Sequence, residues 1–356
     1  RNGVSLAGLI HKLGYRGTTS TALSFGDDAP CHGYLVGEPH QGLKYMFQMM
    51  NEARVGVGFG AAVIGYRGYM HSLEYAKDRL QGRKASEKNP ESPQVPIIEH
   101  ADVRRMLLAQ KAYSEGGLAL CLYGARLMDD QHTHPDEQKR LEAGKLLDLL
   151  TPVIKAWPSE YGPKANDLAI QVYGGAGYTR EYPVEQCWRD NRLNPIHEGT
   201  NGIQAMDLLG RKIWQDQSHG LQLLMQEMQV DLQAATTDRC QQWALSLSET
   251  LQQAVKVTQS LGKSLMEGDP DRTLANASCY LHLFGHIMVA WMWLRQANAA
   301  AHALGSANTD DERNFYQGKL QAAQYFFHWE LPTVAQDLVL LRNQDDTCLN
   351  MKADWF

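Results

Sequence analysis

Residues 171–204 read QVYGGAGYTREYPVEQCWRDNRLNPIHEGTNGIQ. Three glycines (Gly174, Gly175, Gly177) stand where a helical pattern breaks off, and a charged segment follows (Glu181, Glu185, Arg189, Asp190, Arg192). A carboxylate, Glu198, then sits just before Gly199 and Thr200, on an approach made apolar by Leu193, Pro195 and Ile196. An apolar setting raises the proton affinity of a carboxylate, and glycine lets another molecule come close to it. Glu198 is therefore the candidate general base. Singly, a Glu-Gly-Thr is more often a helix cap and a Gly-Gly pair a simple turn.

Outward from this stretch the patterning is helical. Upstream, residues 41–81 carry Met46, Met49, Met50, Val55, Phe59 and Val63 at three- and four-residue spacing, which predicts one long helix. Gly56, Gly58 and Gly60 lie inside that pattern and follow no strand, so close helix packing is the better reading than a phosphate loop. Residues 80–96 are a polar, proline-bearing loop. A second helix is expected over 96–130 with Val103, Met106, Leu107, Tyr113, Leu118, Cys121, Leu122 and Ala125 on its apolar side, then a loop holding His132 and His134. That His-x-His pair lacks a third ligand, and no metal is expected. A third helix is expected over 135–161, a fourth over 164–172, and a helix over 202–217 closes the unit.

Before residue 37 the pattern is strand-like, with Val4 and Leu6, then Ala22, Leu23 and Phe25, then Tyr34 to Val36. Two to four strands with so few apolar residues should pair with other sequence, and the chain opens on them at Arg1, so further sequence upstream is expected. After residue 217 long helical patterns alternate with acidic breaks such as EGDPD and NTDDE. Residues 216–356 hold nine Lys/Arg against sixteen Asp/Glu, a net charge of −7 within a total of −6. An acidic helical segment is a packing or partner module, not a nucleic-acid clamp. Six scattered cysteines without metal-ligand spacing point to free, buried thiols in a reducing compartment, hence a cytoplasmic protein. The apolar run 279–294, broken by His282, Gly285 and His286, reads as too short and too polar for a membrane span.

Five motifs in this order carry a resemblance: NEAR (51–54), YAKDR (75–79), IIEHADVRRMLLAQ (97–110), QVYGGAGY (171–178) and RDNRLNPIHEGTNGIQ (189–204). Together they resemble the acyl-CoA dehydrogenase family over residues 1–212. The tail is similar to the extra C-terminal domain of large bacterial members, the branch that includes 3-methylmercaptopropionyl-CoA dehydrogenases. The resemblance implies a mainly α chain in three parts. Residues 1–40 would be the last strands of the middle β-domain, 41–216 the C-terminal four-helix bundle, and 217–356 an additional helical domain.

It further implies α,β-dehydrogenation of an acyl-CoA thioester to the trans-2-enoyl-CoA, with Glu198 taking the α proton and FAD the β hydride. For cofactor binding it implies Arg79, Gln171, Gly174, Gly175 and Thr200, with the glycine turn serving the FAD of a neighbouring subunit. For the substrate side it implies Arg54, His197 and Gly199, although a structural ion pair is the other reading of Arg54. His197 stands where the family commonly has tyrosine, Gly202 replaces a larger residue, and the segment after Arg79 lacks the usual aromatic. Electron-transfer flavoprotein is the implied electron acceptor and a homodimer the implied assembly. An acyl-CoA oxidase, or a DNA-associated or inactive flavoprotein of the same family, are the alternatives.

Overall fold

The computed structural model describes residues 2–356, the side chains of 47 and 48 excepted; Arg1, the first residue of the strand-like stretch, lies outside them. Two strands form, β1 (Val4–Leu9) and β2 (Thr21–Phe25), paired antiparallel with Val4 opposite Phe25 and Leu6 opposite Leu23. The segment with Tyr34, Leu35 and Val36 is not a third strand but exposed coil. Leu6, Leu9, Leu23 and Phe25 are exposed as well, so the hairpin has no core of its own. It is held instead by its loop, where Asp190 accepts the N–H of Tyr15 at 2.6 Å and Arg189 donates to the carbonyl of Leu13 at 3.0 Å.

Three long helices then pack side by side: α1 (Gly42–Asp78), α2 (Ala101–Thr133) and α3 (Glu137–Tyr173). The predicted apolar stripe of α1 is not the one it buries. Val55 is buried, but Met46, Met49, Phe59 and Val63 face outward, and the inner face is lined mostly by small residues such as Gly58, Ala61, Ala62, Gly65, Ser72 and Ala76. Small side chains bring the α1 and α3 backbones together. A Cβ on Gly58 would lie 2.0 Å from the carbonyl oxygen of Ile154. Gly56 and Gly60 face open space, so close packing explains only the middle glycine of the three.

Helix α3 corrects the expectation of two helices parted near Gly162. It runs unbroken through Pro152, Pro158 and Pro163. Each proline removes one N–H from the ladder, yet most residues from Ala143 to Ala169 are buried against neighbours, and packing outweighs the local penalty. The carbonyl freed by Pro158 is that of Ile154, the group Gly58 approaches. Helix α2 begins at Ala101 after a single turn, Ile97–Glu99, and runs through His132; the loop to α3 holds only residues 134–136. His134 accepts the N–H of Asp136 there, and no metal-ligand cluster occurs among the described residues.

After a short turn of helix (Gly174–Tyr178) come α4 (Val184–Asn191) and α5 (Asn201–Gly210). Helix α5 ends sooner than expected, because Arg211 (φ −138°) leaves the helical region, as Gln215, Asp216 and Gln217 do further on. The tail consists of α6 (His219–Gln233), α7 (Asp238–Met266), α8 (Pro270–Leu274), α9 (Ala277–Leu304), α10 (Asp310–Tyr325) and α11 (Ala335–Asn343). Helix α10 widens into a π turn at Phe326–Glu330 before α11. Helix α9 is longer than the run read from the sequence and, by length and composition alone, apolar enough to cross a membrane. Its most apolar window is 83 % buried inside the protein. Trp291, Trp293 and Leu294 on α9 share one continuous core with Leu120, Leu150 and Ile154 of the bundle. The cysteines are all free; Cys121, Cys187 and Cys240 are buried, whereas Cys348 is exposed, contrary to the expectation of buried thiols throughout.

Candidate functional site

The Glu198 turn joins α4 to α5 and is anchored on both sides by buried amides. On its near side Asn191 donates to the carbonyl of Ala61 (3.0 Å) and to Oδ1 of Asn166 (2.7 Å), while Asn194 donates to Oδ1 of Asn191 (2.7 Å). Asn166 in turn donates to the carbonyl of Ile64. This chain of asparagines ties α4 and the start of the turn to α1 and α3. On the far side Nε2 of Gln204 donates to the carbonyls of Glu198 (3.2 Å) and Gly199 (3.1 Å). Buried amides are costly unless bonded, so each fixes the backbone it touches.

Between these anchors Glu198 has φ +54° and Gly199 φ +80°. A glutamate in the left-handed region is strained, and such strain persists only where the surroundings impose it. The Glu198 side chain is exposed, and among the described residues its N–H meets no acceptor. The expectation that Glu198 sits in an apolar setting is not met within this chain: Leu193 and Ile196 are themselves exposed. Thr200 caps α5 through Oγ1, which accepts the N–H of Ile203. His197 bonds back to Leu193 through Nδ1. Arg54 is buried beneath, donating from Nη1 to Oδ2 of Asp207 at 3.1 Å, and Asp207 also holds Arg211. The ion-pair reading of Arg54 is thus the geometry found.

The other named residues meet elsewhere. Arg79, Gln171, Gly174 and Gly175 line one open pocket of about 630 Å³, where α1 and α3 end and α2 begins. The separation from the Glu198 turn follows from α3, whose Ala156 lies beside Asn201 and whose last turn meets Gly174. Eighteen residues of helix span about 27 Å. No carboxylate lines this pocket, and Arg79 has no ion-pair partner among the described residues. Gly174 (φ +60°) and Gly175 have nothing within 4 Å of where a Cβ would stand, which leaves backbone open to an anionic ligand. These features fit the phosphates of a dinucleotide.

Sequence reasoning missed the aromatic wall here. Tyr75 stacks on Tyr173 at 4.1 Å between ring centroids, and Tyr182 closes on both. Tyr75 lies one helical turn before Arg79, and that spacing was the available signal. Aromatic side chains are therefore present, supplied from before and beyond the segment in which one was sought.

Comparison with known proteins bears on the whole arrangement. The family model "Acyl-CoA dehydrogenase, C-terminal domain" matches residues 40–213, and "Acetyl-CoA dehydrogenase C-terminal like" matches residues 224–352. The chain belongs to the acyl-CoA dehydrogenase family. It is 33 % identical over 362 residues to the broad-specificity linear acyl-CoA dehydrogenase FadE5 of Mycobacterium tuberculosis, covering 99 % of this chain and 59 % of that protein. It is 34 % identical over 332 residues to 3-methylmercaptopropionyl-CoA dehydrogenase of Ruegeria pomeroyi, covering 92 % of this chain and 54 % of that protein. The chain thus spans little more than half the length of the curated relatives it matches. A solved acyl-CoA dehydrogenase from Bacillus anthracis, complexed with FAD, shares the fold with a TM-score of 0.73 at 19 % identity, over 98 % of this chain and 58 % of the other.

Proposed function

We propose that the whole protein dehydrogenates an acyl-CoA thioester to the trans-2-enoyl-CoA, with Glu198 as the base. The observation that carries this reading is the Glu198 turn itself. It is a strained carboxylate-bearing turn, clamped by Gln204 on one side and the asparagine chain on the other, with its side chain and N–H both unengaged among the described residues. The α hydrogen of a thioester is weakly acidic, so the base must be held within hydrogen-bond reach of it and kept from wandering. As the proton leaves, negative charge collects on the thioester oxygen, and the free N–H of Glu198 is available to donate to it.

FAD, when bound, supplies an acceptor for the β hydride. Arg79 and the backbone at Gly174 and Gly175 would hold its phosphates, with Gln171 beside them. Because that pocket lies about 27 Å along α3 from the Glu198 turn, the two half-sites serve different flavins, which favours a homodimer that exchanges them. We assign the protein to the cytoplasm, with electron-transfer flavoprotein as its electron acceptor.

The test is anaerobic mixing of the full flavin-loaded protein with a series of acyl-CoA thioesters. Loss of the oxidised flavin band and formation of enoyl-CoA are expected, followed by slow reoxidation on admitting air. No bleaching with any thioester contradicts the dehydrogenase reading, and fast reoxidation with peroxide release converts it to an oxidase.

A further inference from the structure

Lysine does not normally occupy the middle of a packed helix. Lys155, on α3, is fully buried, and its side chain has no carboxylate within ion-pair distance among the described residues. Its one hydrogen-bond partner among the described residues is a neutral amide: Nζ donates to Oδ1 of Asn201 at 3.2 Å. The other buried lysine, Lys212, shows the ordinary solution, an ion pair with Asp148. A buried cation without a counter-charge is expensive, so something else makes Lys155 tolerable.

The charged and titratable groups around Lys155 and its partner Asn201 come from five elements. Arg54 approaches from α1, already paired with Asp207 of α5. Glu160 lies further along α3, its Oε2 accepting the amide of Asn201 at 3.4 Å. His282 of α9 lines the same cavity as Asn201 and Glu160, a space of about 290 Å³. The remaining group is Glu198, three residues before Asn201. Burial foremost, then Arg54, lowers the pKa of Lys155 to about 8, while Glu198 acts in the opposite direction.

We propose that Lys155 is a positioning residue for the Glu198 turn: its buried Nζ holds the turn through Asn201 and provides the positive charge that the Glu198 carboxylate feels. This rests on the reading of Glu198 as the base. The ammonium attracts the Glu198 carboxylate before the α proton arrives. Once that proton is on Glu198, the attraction is gone and Lys155 holds its own proton less tightly. The coupling is reciprocal by linkage, so whatever Glu198 does to Lys155 is returned in equal measure.

The experiment titrates Lys155 directly, by NMR of the full flavin-loaded chain carrying 13Cε-lysine, with the resonance assigned by its loss in Lys155→Arg. In Glu198→Gln the Lys155 midpoint is expected to fall by about half a pH unit, a roughly threefold loss of proton affinity. Conversely, Lys155→Met is expected to raise the acid limb of the pH dependence of flavin reduction by about the same amount. An unmoved Lys155 midpoint in Glu198→Gln overturns the proposal, as does a Lys155→Met enzyme that is uniformly slower with its acid limb in place. Should Lys155→Met fail to fold, the NMR titration decides alone. The two readings separate cleanly. If Glu198→Gln still bleaches with acyl-CoA, the assignment of the base fails; if bleaching is lost but Lys155 titrates as before, only the coupling fails.

Discussion

Nε2 of Gln204 lies 3.2 Å from the carbonyl oxygen of Glu198, and the same nitrogen reaches the carbonyl of Gly199 at 3.1 Å. One buried amide on α5 thus fixes both left-handed residues of the turn. The demand on such a turn is positional: an error of about 1 Å at a reacting group can cost on the order of 100-fold in rate.

Gln204→Leu keeps the volume but removes both bonds. Flavin reduction by acyl-CoA should slow by about 10- to 100-fold, against a stability loss of only about 1–3 kcal/mol. Stopped-flow reduction and urea unfolding of the same preparation separate the two. A normal rate with lowered stability would reduce Gln204 to a packing residue.

The α1–α3 contact predicts opposite outcomes for two glycines two residues apart. Gly58→Ala puts a methyl group against the Ile154 carbonyl and should cost about 3 kcal/mol or more. Gly60→Ala enters open space and should stabilise the helix by roughly 0.5–1 kcal/mol. Shifts of the urea midpoint at constant slope would show both.

Much of this was readable in advance, and the failures share a cause. The span of α1 and the Glu198 motif were visible because helical periodicity and ordered motifs are local signals. The continuity of α3 was not, because Gly162 and Pro163 read together as a break until their packing against α1 and its neighbours is known. Asn166, Asn191 and Gln204 look like surface polars in sequence; their partners are carbonyls on other elements. Lys155 was hidden for the same reason, since an isolated lysine in a helix reads as solvated. Met49, Phe59 and Val63 misled in the other direction, being apolar yet outward-facing.

His286 carries a pH prediction. It is buried on α9, with Nδ1 against the carbonyl of His282 and Nε2 without a partner among the described residues. Burial foremost, then the neighbouring His282, pushes its pKa down from 6.5 to about 3; Lys164 acts the same way, and only the bond to the His282 carbonyl opposes them. A depressed folded-state value means the unfolded chain takes the proton first. The stability from neutral His286 is therefore full above about pH 6.5 and is lost as pH falls toward 3. His286→Leu should resist acid better than the parent by on the order of 2–3 kcal/mol at about pH 4. Thermal unfolding across that range checks it, and parallel pH profiles for the two proteins would contradict it.

The most direct test of the account is anaerobic reduction of the full flavin-loaded protein carrying Glu198→Gln. This variant is expected to retain its FAD and its folded stability, yet its flavin should stay oxidised when acyl-CoA is added. Bleaching at the parent rate would contradict it and remove Glu198 from the role of base.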